Sequence, residues 1–339
     1  AIAIALSANH IIAQTELKKP EMSQAATVSQ RIGLTDIIIS YHSPLTKGRK
    51  VWGELVPYNE VWRAGANENT TISFSSAVNI EGKELAAGTY GLHMIPSEKS
   101  WTIIFSKNNW AWGSFFYKET DDALRVTVSP ETAANQEWLS YHFANPQAKA
   151  ATIQMHWEKL IIPIRLEIDV ADVVFEHMKK ELSNINGFFW QGHNQAANYC
   201  IQNNIHLDEA EKWINKSIAL QKNFTNLNTK SKLMELQGKT QEASALRKDA
   251  YVLADEVELN AHGYELVNQS KLAEALDIFK MNVKRYPSSW NVYDSLGEVQ
   301  ELMGDKKSAT SNYKIALGKA PEAQHKRIKD ILKKLEGKS

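Results

Sequence analysis

The sequence predicts two folds in series: an all-β sandwich or barrel-like domain, then an all-α helical solenoid, an α+β chain by segregated domains. Three observations carry this. Apolar residues alternate with period two through the N-terminal half, in short runs separated by turn residues. Near Asp169 the period changes to helical spacing and holds almost to the end. Within the helical half, a set of small and aromatic residues recurs at an interval of 34. A chain of 339 residues is also more than one hydrophobic core usually serves.

Composition excludes several classes. With 43% hydrophobic and 23% charged residues, the chain is globular rather than disordered. Acidic and basic side chains balance at 39 each, so no global field favours nucleic acid. The single cysteine, Cys200, rules out an internal disulfide and a cysteine-based zinc site. In its AANYC context it reads as a small buried apolar residue. No cofactor and no metal are expected.

Taken in order, Ala1–Ala13 is apolar, short and ends in small residues. It reads as the remnant of a secretory signal peptide, so a periplasmic or secreted location is expected. It is too short to span a membrane, and no later segment has the uninterrupted apolar length to do so. Residues 14–28 read as a polar entry arm, and 29–170 as the β-domain. Its expected strands lie in Ser29–Ser43, Thr70–Phe74, Ala77–Ile80, Tyr90–Ile95, Ser100–Ser106, Asp122–Val128, Glu137–Phe143, Ala151–Leu160 and Ile162–Val170. Glu81-Gly82-Lys83 is a tight connection. The absence of crossover helices between these strands argues against a parallel sheet.

The pieces QRIGLTDIIISYHSP, KGRKVWGELVPYNEVWRAGANENTTISFS, LAAGTYGLHMIP and WTIIFSKNNWAWG give this half a resemblance to a known family. It resembles the exported Bacteroidetes-type domain of unknown function DUF2911, out to about Val170. The resemblance implies an exported all-β module and no activity.

Val51–Phe74 is the densest candidate site. Trp52 and Trp62 flank Glu54 and Glu60, and Arg63, Asn67 and Glu68 follow. Aromatic faces beside hydrogen-bonding groups suit a small ligand or glycan, with Trp110 and Trp112 completing a platform for a sugar ring. The bland alternative places the tryptophans in the core. Arg63 could fork onto Glu68 or onto a ligand's acid group. Glu60 and Glu68 could instead be the carboxylate pair of a hydrolase. His42, His93, His142 and His156 match no zinc spacing, although His142 and His156 sit in separate strands and could be neighbours. Ser43, Ser75 and Ser76 have no visible partner for nucleophilic catalysis.

Residues 171–187 read as a connecting helix and 188–339 as a helical repeat domain. Gly263, Ala275, Phe279 and Pro287 recur as Gly297, Ala309, Tyr313 and Pro321. The pattern resembles the tetratricopeptide repeat: small residues let paired helices approach, and an aromatic fills the gap to the next pair. Degenerate copies around Ala210 and Ala243 bring the expectation to about four helical hairpins, with Glu322–Leu335 as a lysine-rich capping helix. Such arrays bind protein partners through the inner groove. Asn260, Tyr264, Asn291 and Asp294 are the candidates by position. The function expected is thus an exported binding or scaffold protein, with hydrolase and purely structural β-domain as alternatives.

Overall fold

The computed structural model describes residues 20–337. The signal-peptide remnant read at Ala1–Ala13 and the start of the polar arm lie outside them. The chain divides into two compact units between Val174 and Phe175.

The first unit has ten strands among the described residues. They are β1 (Gln24–Ile32), β2 (Thr35–Ser43), β3 (Thr71–Phe74), β4 (Val78–Ile80), β5 (Lys83–Leu85), β6 (Gly88–Ile95), β7 (Trp101–Ser106), β8 (Asp122–Val128), β9 (Glu131–Ala144) and β10 (Ala150–Glu167). They pair antiparallel into a six-stranded sheet, β1-β2-β3-β6-β7-β8, and a four-stranded sheet, β5-β4-β10-β9.

Three expectations need correction. Strand β1 begins at Gln24, inside the stretch read as a polar arm, because its backbone pairs with β2 from Gln24↔Ser43 onward. Ser29–Ser43 is a hairpin rather than one run. It turns at Gly33, whose φ of +58° suits glycine. Ala151–Leu160 and Ile162–Val170 are one strand, β10, of 18 residues. Its Pro163 falls between the last partner on β9, Ile161↔Glu131, and the first on β4, Leu166↔Ile80. The missing N–H therefore breaks no ladder bond.

Alternation explains the core. Ile37 and Ile39 of β2, and Ile153, Met155 and Trp157 of β10, point inward with one residue between each. Side chains from both sheets meet in one cluster. Trp52 lies within it, edge-on to Trp101 at 4.8 Å, Trp157 at 5.6 Å and Trp62 at 5.8 Å.

Helix α1 (Val170–Glu181) crosses the division. In the second unit follow α2 (Trp190–Asn203), α3 (Leu207–Leu220), α4 (Phe224–Leu236), α5 (Thr240–Leu253), α6 (Glu256–Asn268), α7 (Leu272–Arg285), α8 (Trp290–Leu302), α9 (Lys306–Lys319) and α10 (Glu322–Leu335). Reciprocal side-chain caps, Asn223 with Asn226 and Asp255 with Glu258, start α4 and α6 by satisfying backbone N–H groups that have no partner within the helix. The repeated alanines Ala210, Ala243, Ala275 and Ala309 are all fully buried. Gly263 faces Phe279 so closely that a Cβ there would sit 2.5 Å from the ring, and Gly297 faces Tyr313 in the same way at 3.2 Å. Ile328 and Leu332 of α10 close the last core against Ala309, Tyr313 and Ala316. Cys200 is buried in the core built around α2 and α3, where desolvation pushes its thiol up to about 11. Among the described residues no helix is long and apolar enough to cross a membrane.

Candidate functional site

The structure separates the residues of Val51–Phe74. Trp52 is 7% exposed and belongs to the core, so it faces no ligand. Trp62 is half-buried and stacks on Trp157 at 5.9 Å. Neither tryptophan joins the expected platform. Glu54 pairs with Lys50, and Glu60 is exposed. Glu68 turns to His42 Nδ1 at 3.3 Å, while Glu21 approaches His42 Nε2 at 3.4 Å and accepts from Asn67 Nδ2 at 2.5 Å. No hydrogen bond or ion pair joins Glu60 to Glu68 among the described residues. Glu21, His42 and Glu68 offer ligand atoms within 4.8 Å of one another, a cation-sized grouping that sequence spacing did not reveal. Both imidazole nitrogens face a carboxylate. His142 and His156 do not combine: His142 bonds Gln154 at 2.7 Å, and His156 bonds the Ala134 carbonyl at 3.0 Å.

Trp110 and Trp112 do form an aromatic face, with different companions. They are 86% and 56% exposed. Phe115 stacks on Trp112 at 5.5 Å, and Phe116 is also exposed. Together with Tyr117 and Lys118 they line a cavity of about 630 Å³. An adjoining polar layer was missed by sequence reasoning. Trp62 and Met94 exchange backbone hydrogen bonds of 2.8 Å each, which sets Arg63 opposite His93 on one face. His93 is buried, its Nδ1 lies 2.9 Å from Ser114 Oγ, and its ring packs against Tyr117 at 5.2 Å. Burial lowers its imidazole to about 4, against an opposing pull from Asp122, so it is neutral at pH 7. Tyr117 donates to Asp122 at 2.8 Å, and Arg125 donates to both. Burial, then that bond to Asp122, pushes the Tyr117 phenol up to about 12. The cue was the run WGSFFYKETDD, which crowds aromatics, a hydroxyl and carboxylates around one glycine.

In the helical unit, two of the four partner candidates are occupied. The Asp294 carboxylate, buried, takes Arg327 Nη2 at 2.9 Å on each oxygen, tying α8 to α10. The Tyr264 hydroxyl donates to Glu298 at 2.7 Å and accepts from Ser295 at 3.2 Å, tying α6 to α8. Asn291 is half-buried, and Asn260 keeps a buried Oδ1 without a partner. The open space lies one hairpin earlier. A cavity of about 570 Å³ is lined by Asn198, Asn228, Lys232, Arg247, Tyr251 and His262, among others.

Its cause is a break in the repeat. Four residues after the buried alanine stand Phe279 and Tyr313 in the regular hairpins, but Arg247 in the second. Twelve residues before that alanine stand Gly263 and Gly297, but Ser231 in the second. Ser231 donates to the Ala243 carbonyl at 3.0 Å, and Arg247 reaches Ser231 and Glu235. A cation replaces the filling ring and leaves a polar hollow. At its wall the Tyr251 hydroxyl meets His262 Nε2 at 3.2 Å, and burial lowers the His262 imidazole.

Comparison with known proteins now places the first unit. Residues 23–166 match the family described as protein of unknown function DUF2911. The DUF2911 region thus covers the six- and four-stranded sheets, the aromatic cavity and the Arg63–His93 face. No curated protein matches the chain. Among solved structures, MamA (AMB-1) shares 16% identity over 44% of this chain and 83% of its own, with a TM-score of 0.28. YrrB, described as a TPR protein with an unusual peptide-binding site, shares 15% identity over 48% of this chain and 86% of its own, also at 0.28. The tetratricopeptide-like character of the helical unit rests on its own buried alanines and glycine–aromatic contacts.

Proposed function

We propose that the protein is a protein-interaction scaffold whose helical unit takes an extended segment of a partner in the cavity at Arg247. The carrying observation is the cation at that position, where the last two hairpins place a ring and the first places the buried Ile214. It opens a hollow lined by four amides, among them Asn198 and Asn228, three cations, Lys232, Arg247 and Lys271, and three carboxylates. Amide side chains match the donors and acceptors of a peptide backbone, and the mixed charges suit a polar rather than an apolar segment.

A peptide library screened against the full chain tests the reading. Sequences selected by the wild type should lose at least about tenfold in affinity with Arg247→Phe, which restores the filling ring. Equal binding by Arg247→Phe would remove the cavity from the mechanism. The hydrolase alternative receives no support from Glu68, whose carboxylate is turned to His42.

A further inference from the structure

Two arginines flank the aromatic loop of the β-domain, and the protein treats them differently. Arg125 is saturated by Asp122, Glu119 and the Tyr117 hydroxyl. Arg63 has no carboxylate partner among the described residues. Glu68, the internal partner that sequence proximity suggests, is drawn to His42 instead. Arg63 is half-buried, its Nε is shielded from water without a hydrogen-bond acceptor, and desolvation lowers its basicity. A guanidinium in such a place has lost hydration without gaining an anion, a deficit that a bound anion removes. Its surroundings shape what that anion is attached to. The guanidinium carbon stands 6.0 Å from the centre of the Trp112 ring. One terminal nitrogen lies over Gly113, where even a Cβ would come within 3.2 Å. Trp112 is itself a wall of the 630 Å³ aromatic cavity.

We infer that Arg63 and the Trp110–Phe116 aromatics form a binding site for a small ring-bearing carboxylate, the acid on the Arg63 fork and the ring on Trp112. A single planar fork matches a carboxylate. The ring follows from the aromatics of this loop: Trp112 lies beside the guanidinium with Phe115 stacked on it, and Trp110, Phe115 and Phe116 are exposed next to it in sequence. Acidic sugars and aromatic acids share this chemistry. The inference is independent of the helical cavity and stands or falls without it.

The test is calorimetric titration of the full chain with four probes in two matched pairs: glucuronate against glucose, and benzoate against benzyl alcohol. At least one acid should bind about tenfold more tightly than its neutral partner, and Arg63→Gln should erase that difference. Which pair shows it identifies the source, sugar or aromatic. Arg63→Lys should recover only part of it, because an ammonium lacks the fork. Circular dichroism confirms that each variant is folded. Should Arg63→Gln unfold, Trp112→Ala replaces it, since that ring is exposed and its loss should weaken the favoured acid without loss of fold. Neutral probes binding as well as acids, an acid bound undiminished by Arg63→Gln or by the Trp112→Ala replacement, or no probe binding at millimolar concentration would each overturn the inference.

Discussion

The β-domain and the helical unit arrive at their cavities by opposite routes. The β-domain has more aromatics than its core takes: Trp52, Trp101 and Trp157 fill the space between the sheets, while Trp110, Trp112, Phe115 and Phe116 stand outside it. The helical unit departs from its own pattern: its last two hairpins repeat a glycine–ring contact, the first fills the ring's position with Ile214, and the second puts Arg247 there. In both units the cavity lies where the packing pattern is broken. The lesson is that departures from a local rule point to sites more directly than concentrations of reactive residue types do.

The strongest challenge to that contrast is a pair of tryptophan substitutions. Trp52→Ala should cost about 3–5 kcal/mol of β-domain stability, because it opens a cavity among Trp62, Trp101 and Trp157. Trp110→Ala should stay within about 0.5 kcal/mol. Chemical denaturation followed by fluorescence reads both. Comparable losses would mean that the exposed aromatics are structural after all.

Next in size is the pH response of the β-domain. His93 is held neutral, with its imidazole lowered from 6.5 to about 4. The unfolded chain therefore binds the extra proton first. His93 contributes stability that is fully present above pH 6.5 and lost as pH falls toward 4, on the order of 3 kcal/mol. Melting temperatures across that window should fall more steeply for the wild type than for His93→Gln. Parallel slopes would show that His93 is not the group responsible.

A smaller effect sharpens the helical side. Gly263→Ala pushes a methyl into Phe279, and Ala in place of Gly otherwise favours a helix. The clash should win, for a net loss of about 1–3 kcal/mol. A neutral or stabilising result would mean that Phe279 can move aside and that the repeat contact is loose.

Much of the helical unit was legible in advance because its contacts are local and periodic. Ala275 and Ala309, or Gly263 and Gly297, announce their burial by recurrence alone, and Glu322–Leu335 matches α10. The β-domain hid more. Trp52 and Trp110 sit in similar short contexts, and only pairing between distant strands decides that one is core and the other surface. His93 lies in the nearly all-buried run of β6 with no ligand spacing around it. Its partner Ser114 is 21 residues away. Arg63 was visible as unusual, but the fate of its nearest carboxylate depended on His42, a residue on another strand. In the helical unit, the internal partners of Tyr264 and Asp294 were hidden for a related reason: position within a repeat indicates which face a residue is on, not whether the next repeat has already claimed it.

The thiol of Cys200 has a practical consequence. With the chain's only sulfhydryl buried and poorly ionised at neutral pH, maleimide chemistry has no native target in the folded protein. A cysteine installed by Trp110→Cys, at the most exposed aromatic of the loop, would be the single position to accept a dye. The aromatic cavity can then be watched by an environment-sensitive fluorophore in an otherwise unaltered background.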